Sequence, residues 1–333
     1  MERLSRILHR HEFYMAATLA LLASIIAVIN PAFLSMSNLF DLCKSSTVLG
    51  IFALGVLVVL LSGGIDISFT AIAALSMYVT SKLLLATGYS GSVIVPFVIA
   101  GCLGLLLGLF NAFFISCWRL PALIVTLGSA SVFRGLLLAF IGTRIVTSLP
   151  AGMVDFSKRS LFAATLPGGE TIGLSASFLL FVGAAIMVWA LLRYTMPGKG
   201  IYALGGNPEA AERVGFNIPR LQFFIYGFVG LLSGVAGLTH ACTMRNANPF
   251  DLVGTELVVI AAVVLGGASI TGGRRTVLGT VLGVFLLVTI NNSLILLGVP
   301  SYWQKVLVGL VIVVSTGITA RRNPRALHGV MAT

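Results

Sequence analysis

Charged side chains are scarce in this sequence. Only 9% of its 333 residues are Asp, Glu, Lys or Arg, whereas 58% are hydrophobic. Water-soluble domains carry about 25% charged residues. With so little charge the side chains cannot cover a surface that faces water, which excludes a soluble globular protein. The composition predicts a polytopic membrane protein, formed as a single integral domain over residues 1–333.

The sequence also lacks the patterns of an enzyme. It has no nucleophile-elbow motif, no pair of His residues at metal-binding spacing, and four Cys residues that are not spaced as metal ligands. Its Gly-Gly pairs lack the Lys-Ser/Thr that a phosphate-binding loop needs. We therefore expect no catalytic residue, no metal site and no cofactor bound by this chain. Cys43 and Cys242 are both expected near the outer face, where a disulfide between them stays an open question.

Basic residues outnumber acidic ones by 21 to 10. In a soluble protein the net charge of +11 would suggest a nucleic-acid partner. In a membrane protein, Lys and Arg at helix ends set the topology instead, so we expect no nucleic acid. With the N-terminus inside, 13 of the 21 basic residues are cytoplasmic, namely Arg3, Arg6, Arg10, Arg119, Arg193, Lys199, Arg213, Arg220, Arg274, Arg275, Arg321, Arg322 and Arg325. Both termini are therefore predicted to be cytoplasmic, with a long periplasmic loop at about 143–173.

Apolar runs long enough to cross a bilayer recur along the chain. A spanning helix needs about 20 apolar residues. The predicted segments are 13–30, 45–62, 67–87, 92–116, 121–142, 174–192, 220–240, 256–270, 276–298 and 302–319. The second ends at Ser62-Gly63-Gly64-Ile65-Asp66, where the paired glycines can break a helix. The segment at 256–270 is short, which predicts a half-helix or a re-entrant element.

The longest polar interruption predicted on the cytoplasmic face is 196–220. Within it, Asn207 and Pro208 precede EAAERVG, a pattern that predicts a short helix with acidic residues in its first turn and a stop at Gly215. A solvated loop that only returns the chain is the plainer interpretation. A loop that only connects two spans does not need to form a helix at the membrane surface. We therefore favour a partner-docking element.

A few polar residues lie within the apolar segments. An ionised Asp66 at the bilayer centre costs about 2.5–3.5 kcal/mol on insertion scales, so it marks a transport pathway or caps the next helix. Asn291 and Asn292, and with them Asn111, either hydrogen-bond a polyol substrate or join two helices. Arg134 is expected to pair with an acid or to extend its side chain to the interface.

Four stretches together resemble a known family. They are SGGIDIS at 62–68, YALGGNPEAAERVGF at 202–216, ELVVIAAVVLGGASITGG at 256–273 and NNSLILLGVPSYW at 291–303. In this order they are similar to the ribose-type permeases of bacterial ABC importers for monosaccharides. The resemblance runs from about residue 30 to 320, within a superfamily that also includes nucleoside and branched-chain amino-acid permeases.

The resemblance implies an all-α fold of about ten transmembrane helices with broken or short helices, the type II importer fold of the vitamin-B12 permease. It also implies a multi-pass subunit of the bacterial inner membrane that works with a cytoplasmic ABC ATPase, which carries the ATP and Mg, and a periplasmic or lipid-anchored solute-binding protein. A second permease chain, identical or related, completes the pathway within the membrane lipid. The motif that matches the ATPase-coupling element contains Gly205, Gly206, Asn207, Pro208, Glu209, Glu212, Arg213 and Gly215.

One stretch departs from the family pattern. Where such permeases usually continue with Val-Gly-Ser, this chain has Phe69, Thr70 and Ala71. The larger Phe69 narrows or reshapes the path, so the small polar solute is left open between ribose, deoxy-sugars and signalling furanoses. Two other classes of function also remain: an ion-coupled secondary transporter, disfavoured by the scarcity of acids in the spans, and a membrane enzyme or scaffold, for which no catalytic cluster is found.

Overall fold

A computed structural model of the chain describes residues 11–165, 171–269 and 276–300, together with positions 302, 303, 306, 309 and 310. This part of the chain is mostly helical. In chain order the helices are α1 (His11–Ile29), α2 (Met36–Leu61), α3 (Phe69–Ala86), α4 (Ile94–Cys117), α5 (Ala122–Leu136), α6 (Ala151–Lys158), α7 (Phe178–Tyr194), α8 (Met196–Gly206), α9 (Pro208–Arg213), α10 (Ile218–Met244), α11 (Glu256–Leu265) and α12 (Val277–Leu296). A 3-10 turn (Pro31–Leu34) joins α1 to α2, and a π-helical turn (Leu137–Ile141) prolongs α5. Two strands, β1 (Ser160–Thr165) and β2 (Thr171–Ser175), pair antiparallel.

Seven of these helices, the one at Ala122–Ile141 including its π-helical turn, are long and apolar enough to cross a membrane, and the number becomes eight if α7 and α8 form one broken span. The prediction of a polytopic, mainly α-helical membrane protein is therefore confirmed. The segment predicted at 256–270 holds α11, which has only ten residues. The last predicted segment, 302–319, falls largely outside the described residues.

The bundle has two ends, which we name by the elements that lie there. At the α8 end, the hydroxyl of Thr276, just before α12, donates a 2.7 Å hydrogen bond to the carboxylate of Glu12 near the start of α1. At the hairpin end, which carries α6 and the β1–β2 pair, Asn30 Nδ2 donates to the carbonyl of Leu296. Glu12 and Thr276 line one cavity together with Tyr202 of α8, so helices α1 and α12 begin at the same end as α8 and run towards the hairpin end. The sequence predicts that α1 and the 196–220 stretch share a side, and this is confirmed, whereas which side faces the cytoplasm stays a prediction.

Helix α10 makes its most extensive contacts with α4, and glycines permit their close approach. Gly104 and Gly108 on α4 repeat the four-residue spacing of Gly230 and Gly234 on α10. A Cβ added to Gly104 would lie 2.9 Å from the backbone nitrogen of Gly234, and one added to Gly230 would lie 2.9 Å from the Cα of Gly108. Small residues at this spacing let helices pack where lipid supplies no hydrophobic drive between them.

The break after the second predicted segment is confirmed. Gly63 has φ +81°, in the left-handed region that favours glycine, and α3 does not begin until Phe69. Helix α2 starts well before the predicted position 45, because the Ser35 hydroxyl oxygen accepts a 3.2 Å hydrogen bond from the amide of Asn38 and caps the helix.

The region predicted as a long loop at 143–173 is more ordered than expected, because it contains α6 and the β1–β2 hairpin. No strand is predicted there from the sequence. A further bridge pairs Val146 with Ala247, and Arg245 Nε donates to the hydroxyl of Ser157, so this region is attached to the end of α10. All four cysteines are free thiols, which answers the open question of a disulfide between Cys43 and Cys242.

Candidate transport site

The predicted short helix in the 196–220 stretch is confirmed as α9. Helix α8 turns away from α7 by 76°, and the Thr195 hydroxyl between them accepts a hydrogen bond from the amide of Gly198. Asn207 then caps α9, since its side-chain oxygen accepts a 3.0 Å hydrogen bond from the amide of Ala210. Gly215, at φ +95°, follows the helix at the predicted stop.

The surface of α9 is charged and accessible. Glu209 and Arg213 form an i,i+4 pair at 3.6 Å with both side chains more than 80% exposed, and Glu212 is exposed beside them. Val214 directly after α9 is 74% exposed, whereas Ala211 is buried and faces the rest of the molecule. The inner face of α9 therefore packs through the apolar Ala211. Its outer face exposes charged side chains next to the large apolar side chain of Val214.

The two glycines at the end of α8 have different surroundings. A Cβ added to Gly205 would lie 2.9 Å from the carbonyl carbon of Leu61, the last residue of α2, and closer still to its oxygen. A Cβ on Gly206 would meet nothing within 4 Å. Of these two glycines, only Gly205 must be glycine because of its packing. It packs against the backbone at the α2–α3 break.

Asp66 lies in that break and is buried, with 2% of its surface exposed. Its Oδ1 accepts hydrogen bonds of 2.7 Å from both the amide and the hydroxyl of Ser68. Asn111 Nδ2, on α4, donates a further 2.7 Å bond to the Ser68 hydroxyl oxygen. The structure therefore brings together two of the sequence-predicted pathway residues, Asp66 and Asn111. Asp66 therefore binds the residue before α3 rather than an amide within that helix, and α3 has no side-chain cap. The prediction that Asp66 caps the next helix is wrong, and a pathway role stays a proposal.

Two residues complete this buried cluster. The carbonyl of Ile65 accepts a hydrogen bond of 3.3 Å from Thr126 on α5. Tyr226, on α10, is buried, and a Cβ on Gly64 would lie 2.8 Å from its hydroxyl oxygen. Sequence reasoning missed Tyr226. The available signal was a phenol within an otherwise apolar span, since a buried Tyr hydroxyl usually has a polar neighbour.

Arg134 pairs with an acid, as one of its two interpretations predicts. Its Nη2 donates to Glu256 Oε1 in a salt bridge, and also to the hydroxyl of Thr70 at 3.2 Å. The Thr70 hydroxyl donates to the same Glu256 oxygen at 2.5 Å. This triad joins α5, α3 and the first residue of α11. It fixes the short helix, which starts at Glu256, to two longer ones.

A cavity of about 470 Å³ opens at the hairpin end between α2, α10 and the segment that leads into α11. Its wall is mainly apolar and includes Val48, Leu49, Phe52 and Leu252, and its polar residues are Asp41, Lys44, Ser45, His240, Thr243 and Thr255. His240 Nε2 lies 3.0 Å from Asp251 Oδ2, so its ring is held at the cavity wall. Phe52 packs against Phe69 with ring centroids 5.2 Å apart, and Phe69 directly follows Ser68. The two aromatic rings therefore lie between this cavity and the Asp66 cluster.

A second cavity, of about 590 Å³, shares Asp41 and Lys44 with the first and continues along the hairpin. Its other charged lining residues are basic: Lys158, Arg159 and Arg245. The hairpin end therefore has a polar entrance with both signs of charge. Its cavities have the size of small-molecule sites, which are about 300–1,000 Å³.

The remaining predicted pathway residues lie apart from this cluster. Asn291 and Asn292 are half-buried on α12, and the side-chain oxygen of each is buried without a hydrogen-bond partner. They line neither of the two cavities at the hairpin end. Among the described residues, no three His, Cys, Asp or Glu side chains are grouped so that they could hold a metal ion.

The sequence profile of the family described as "Branched-chain amino acid transport system / permease component" matches residues 38–316, from the first turn of α2 onwards. The chain belongs to this permease family. The matched region contains the α2–α3 break, α8, α9 and α11 of this permease, so each motif described above lies within it.

Individual relatives of this permease are sugar and signal import proteins. The "Ribose import permease protein RbsC" of Bacillus subtilis (strain 168) is 35% identical over 92% of this chain and 91% of that protein. The "L-arabinose ABC transporter permease protein AraH" of Azospirillum brasilense is 35% identical over 89% of this chain and 84% of that protein. The "Autoinducer 2 import system permease protein LsrC" of Enterobacter sp. (strain 638) is 33% identical over 90% of this chain and 84% of that protein. No solved structure matches this permease.

Proposed function

We propose that this chain is the membrane-spanning permease subunit of an ATP-driven importer that carries a monosaccharide or a similar small polar solute. The observation that carries the proposal is the similarity to ribose, L-arabinose and autoinducer-2 import permeases over 89–92% of the chain. These relatives are transport subunits rather than enzymes, which agrees with the lack of catalytic motifs.

The architecture that we propose is the type II importer fold. It has about ten transmembrane helices in a single integral domain, with α11 as a half-helix and a final span over 302–319. Two permease chains, identical or related, surround the pathway in the bacterial inner membrane. The α8 end faces the cytoplasm, as the Lys and Arg distribution predicts, and both termini lie there.

A cytoplasmic ABC ATPase, which binds the ATP and Mg, supplies the energy for transport. It docks on the coupling element at about 196–220, where the exposed charges of Glu209, Glu212 and Arg213 form the docking surface. The complete ATPase-coupling motif comprises Gly205, Gly206, Asn207, Pro208, Glu209, Glu212, Arg213 and Gly215. The exposed charges of α9 and the exposed Val214 support this role, because a docking surface combines an apolar anchor with a polar rim.

Solute arrives from a periplasmic or lipid-anchored binding protein at the hairpin end, where the loop at about 143–173 lies. It enters through the 470 Å³ cavity, whose carboxylate, ammonium and hydroxyl groups suit a polyol. From there it passes Phe69 and the groups at Asp66 and Asn111. Asn291 and Asn292 are proposed as further polar contacts, since each has a side-chain oxygen free to accept a hydrogen bond.

An ion-coupled secondary transporter is the second candidate. Such a transporter needs intramembrane acids or histidines that change their charge as the ion moves. In the described part of the spans the buried carboxylates are Asp66 and Glu256, and both are already engaged, the first by Ser68 and the second by Arg134 and Thr70. These contacts favour the ATP-driven importer.

Reversing the charges of α9 tests the coupling role. We expect Glu209→Arg with Glu212→Arg to abolish uptake and ATPase co-purification, because the partner then meets the opposite charge. Membrane insertion and the affinity of the binding protein for solute should be unchanged. The Glu209–Arg213 pair is exposed, and such pairs contribute only about 0–1 kcal/mol to stability, so the fold should survive.

Asp155→Arg is a matched control for co-purification, because Asp155 is exposed on α6 at the opposite end of the bundle. It should retain the ATPase. Unchanged uptake in the double variant at α9 would remove the coupling role from this element.

A further inference from the structure

The end of α8 is in very tight contact with the end of α2. Gly205 lies against the backbone of Leu61, and Gly63 is also close to it, since a Cβ on Gly63 would be 3.7 Å from the Cα of Gly205. Two backbones in contact have no flexible side chain between them to absorb a displacement. We therefore expect a shift of the α8 end towards α2 to move the end of α2 as well.

From Leu61 the chain leads directly to the buried polar cluster. Five residues after it comes Asp66, whose carboxylate is bonded to Ser68 and through it to Asn111 on α4. The same break is tied to α5 by the hydrogen bond from Thr126 to the carbonyl of Ile65. Because Gly63 and Gly64 separate the rigid helices α2 and α3, this segment can change its dihedral angles while both helices stay intact.

We propose that the contact between Gly205 and Leu61 is the joint through which a movement of α8 and α9 reaches the Asp66–Ser68–Asn111 cluster. Gly205 is thus a positioning residue for transport, and its small size matters because it keeps the two backbones in contact. The inference rests on the proposed function, since it needs a partner that moves α9.

Gly205→Ala tests the joint in the complete importer reconstituted with its ATPase and binding protein. The added methyl group would overlap the Leu61 carbonyl, so the α8 end and the break are held apart. Uptake is expected to fall by about tenfold or more, since an overpacked contact is displaced or strained. ATPase co-purification and ATP hydrolysis should persist, because the docking surface of α9 is unaltered.

Substitutions at two other glycines are controls that distinguish the effect of the Gly205–Leu61 contact from general effects of introducing alanine. Gly183→Ala, in the preceding helix α7, adds a methyl group where nothing lies within 4 Å and should transport as the wild type does. Gly206→Ala stiffens the same end of α8 without touching Leu61. If it lowers uptake as much as Gly205→Ala does, stiffening is the cause and the joint is wrong.

The outcomes for the joint and for the proposed function are distinct. Wild-type uptake by Gly205→Ala overturns the joint and leaves the importer intact, whereas a wild-type chain that neither retains an ATPase nor depends on ATP overturns the proposed function itself. If Gly205→Ala fails to fold, hydrogen–deuterium exchange of the wild-type complex decides instead. Addition of ATP should change the protection of α9 and of residues 62–68 together, and a change confined to α9 would overturn the joint.

Discussion

Glu256 begins a ten-residue helix with its carboxylate buried between Arg134 and Thr70, which lie on two other helices. Asp66 is also buried, and its hydrogen-bond donors are the amide and hydroxyl of Ser68. Each carboxylate therefore accepts hydrogen bonds from within the molecule, and α11 is held at its first residue although it is too short to span a bilayer. At the scale of residues, these contacts fix where the irregular backbone lies.

Removing one partner of the Arg134–Glu256 pair should destabilise the chain strongly. Breaking a fully buried pair costs about 3–5 kcal/mol, and the cost here should be somewhat smaller because 32% of the Arg134 side chain is exposed. We expect Glu256→Gln to lower the unfolding free energy by about 2–3 kcal/mol, measured by chemical denaturation in mixed micelles. The double variant Arg134→Met with Glu256→Met should recover most of this loss. A single variant as stable as the wild type would contradict the pairing.

At the scale of elements, breaks and caps are the features that the sequence predicts best. Gly63-Gly64 ends α2, and Asn207-Pro208 starts α9, because the conformational freedom of glycine and the capping side chain of Asn act within a few residues. The β1–β2 hairpin was missed, since its strands are only six and five residues long and the alternation of apolar with polar or small residues in β2 (TIGLS) is absent from β1 (SLFAAT). The close packing of α4 on α10 was also missed in detail, because the glycines on the two helices match only once both are in place.

Two Gly→Ala substitutions, one inside the contact between α4 and α10 and one outside it, should have opposite effects on stability. Gly104→Ala would place a methyl carbon 2.9 Å from the nitrogen of Gly234, and overpacking of this kind costs about 1–3 kcal/mol. Gly128→Ala, on α5, meets nothing within 4 Å and should be neutral or stabilise by up to about 1 kcal/mol, because alanine favours the helix. The measurement is the unfolding free energy of each purified variant. Equal stabilities would mean that the two helices are not packed this closely.

At the scale of the whole molecule, the two ends differ in a way that suits directional transport. The hairpin end has one mainly apolar and one mainly polar cavity. The α8 end has a cavity of about 730 Å³ and an exposed charged helix, and its α8 is in backbone contact with the α2–α3 break. The composition and the lengths of the apolar runs predict the membrane class, and the distribution of Lys and Arg predicts that α1 begins on the same side as α8. They cannot predict that Asp66 meets Asn111, or that Arg134 chooses Glu256, because these pairs lie far apart in sequence and only tertiary packing brings them together.

We expect that this permease neither hydrolyses ATP nor uses an ion gradient, so that a partner must supply the energy for transport. The most direct test of this claim is uptake of radiolabelled ribose, L-arabinose and related sugars into proteoliposomes that hold the purified chain, with and without its ATPase and binding protein. We expect accumulation against a gradient only when both partners and ATP are present, and we expect an uncoupler to have no effect. Concentration of a sugar by the chain alone, driven by a proton or sodium gradient, would contradict it.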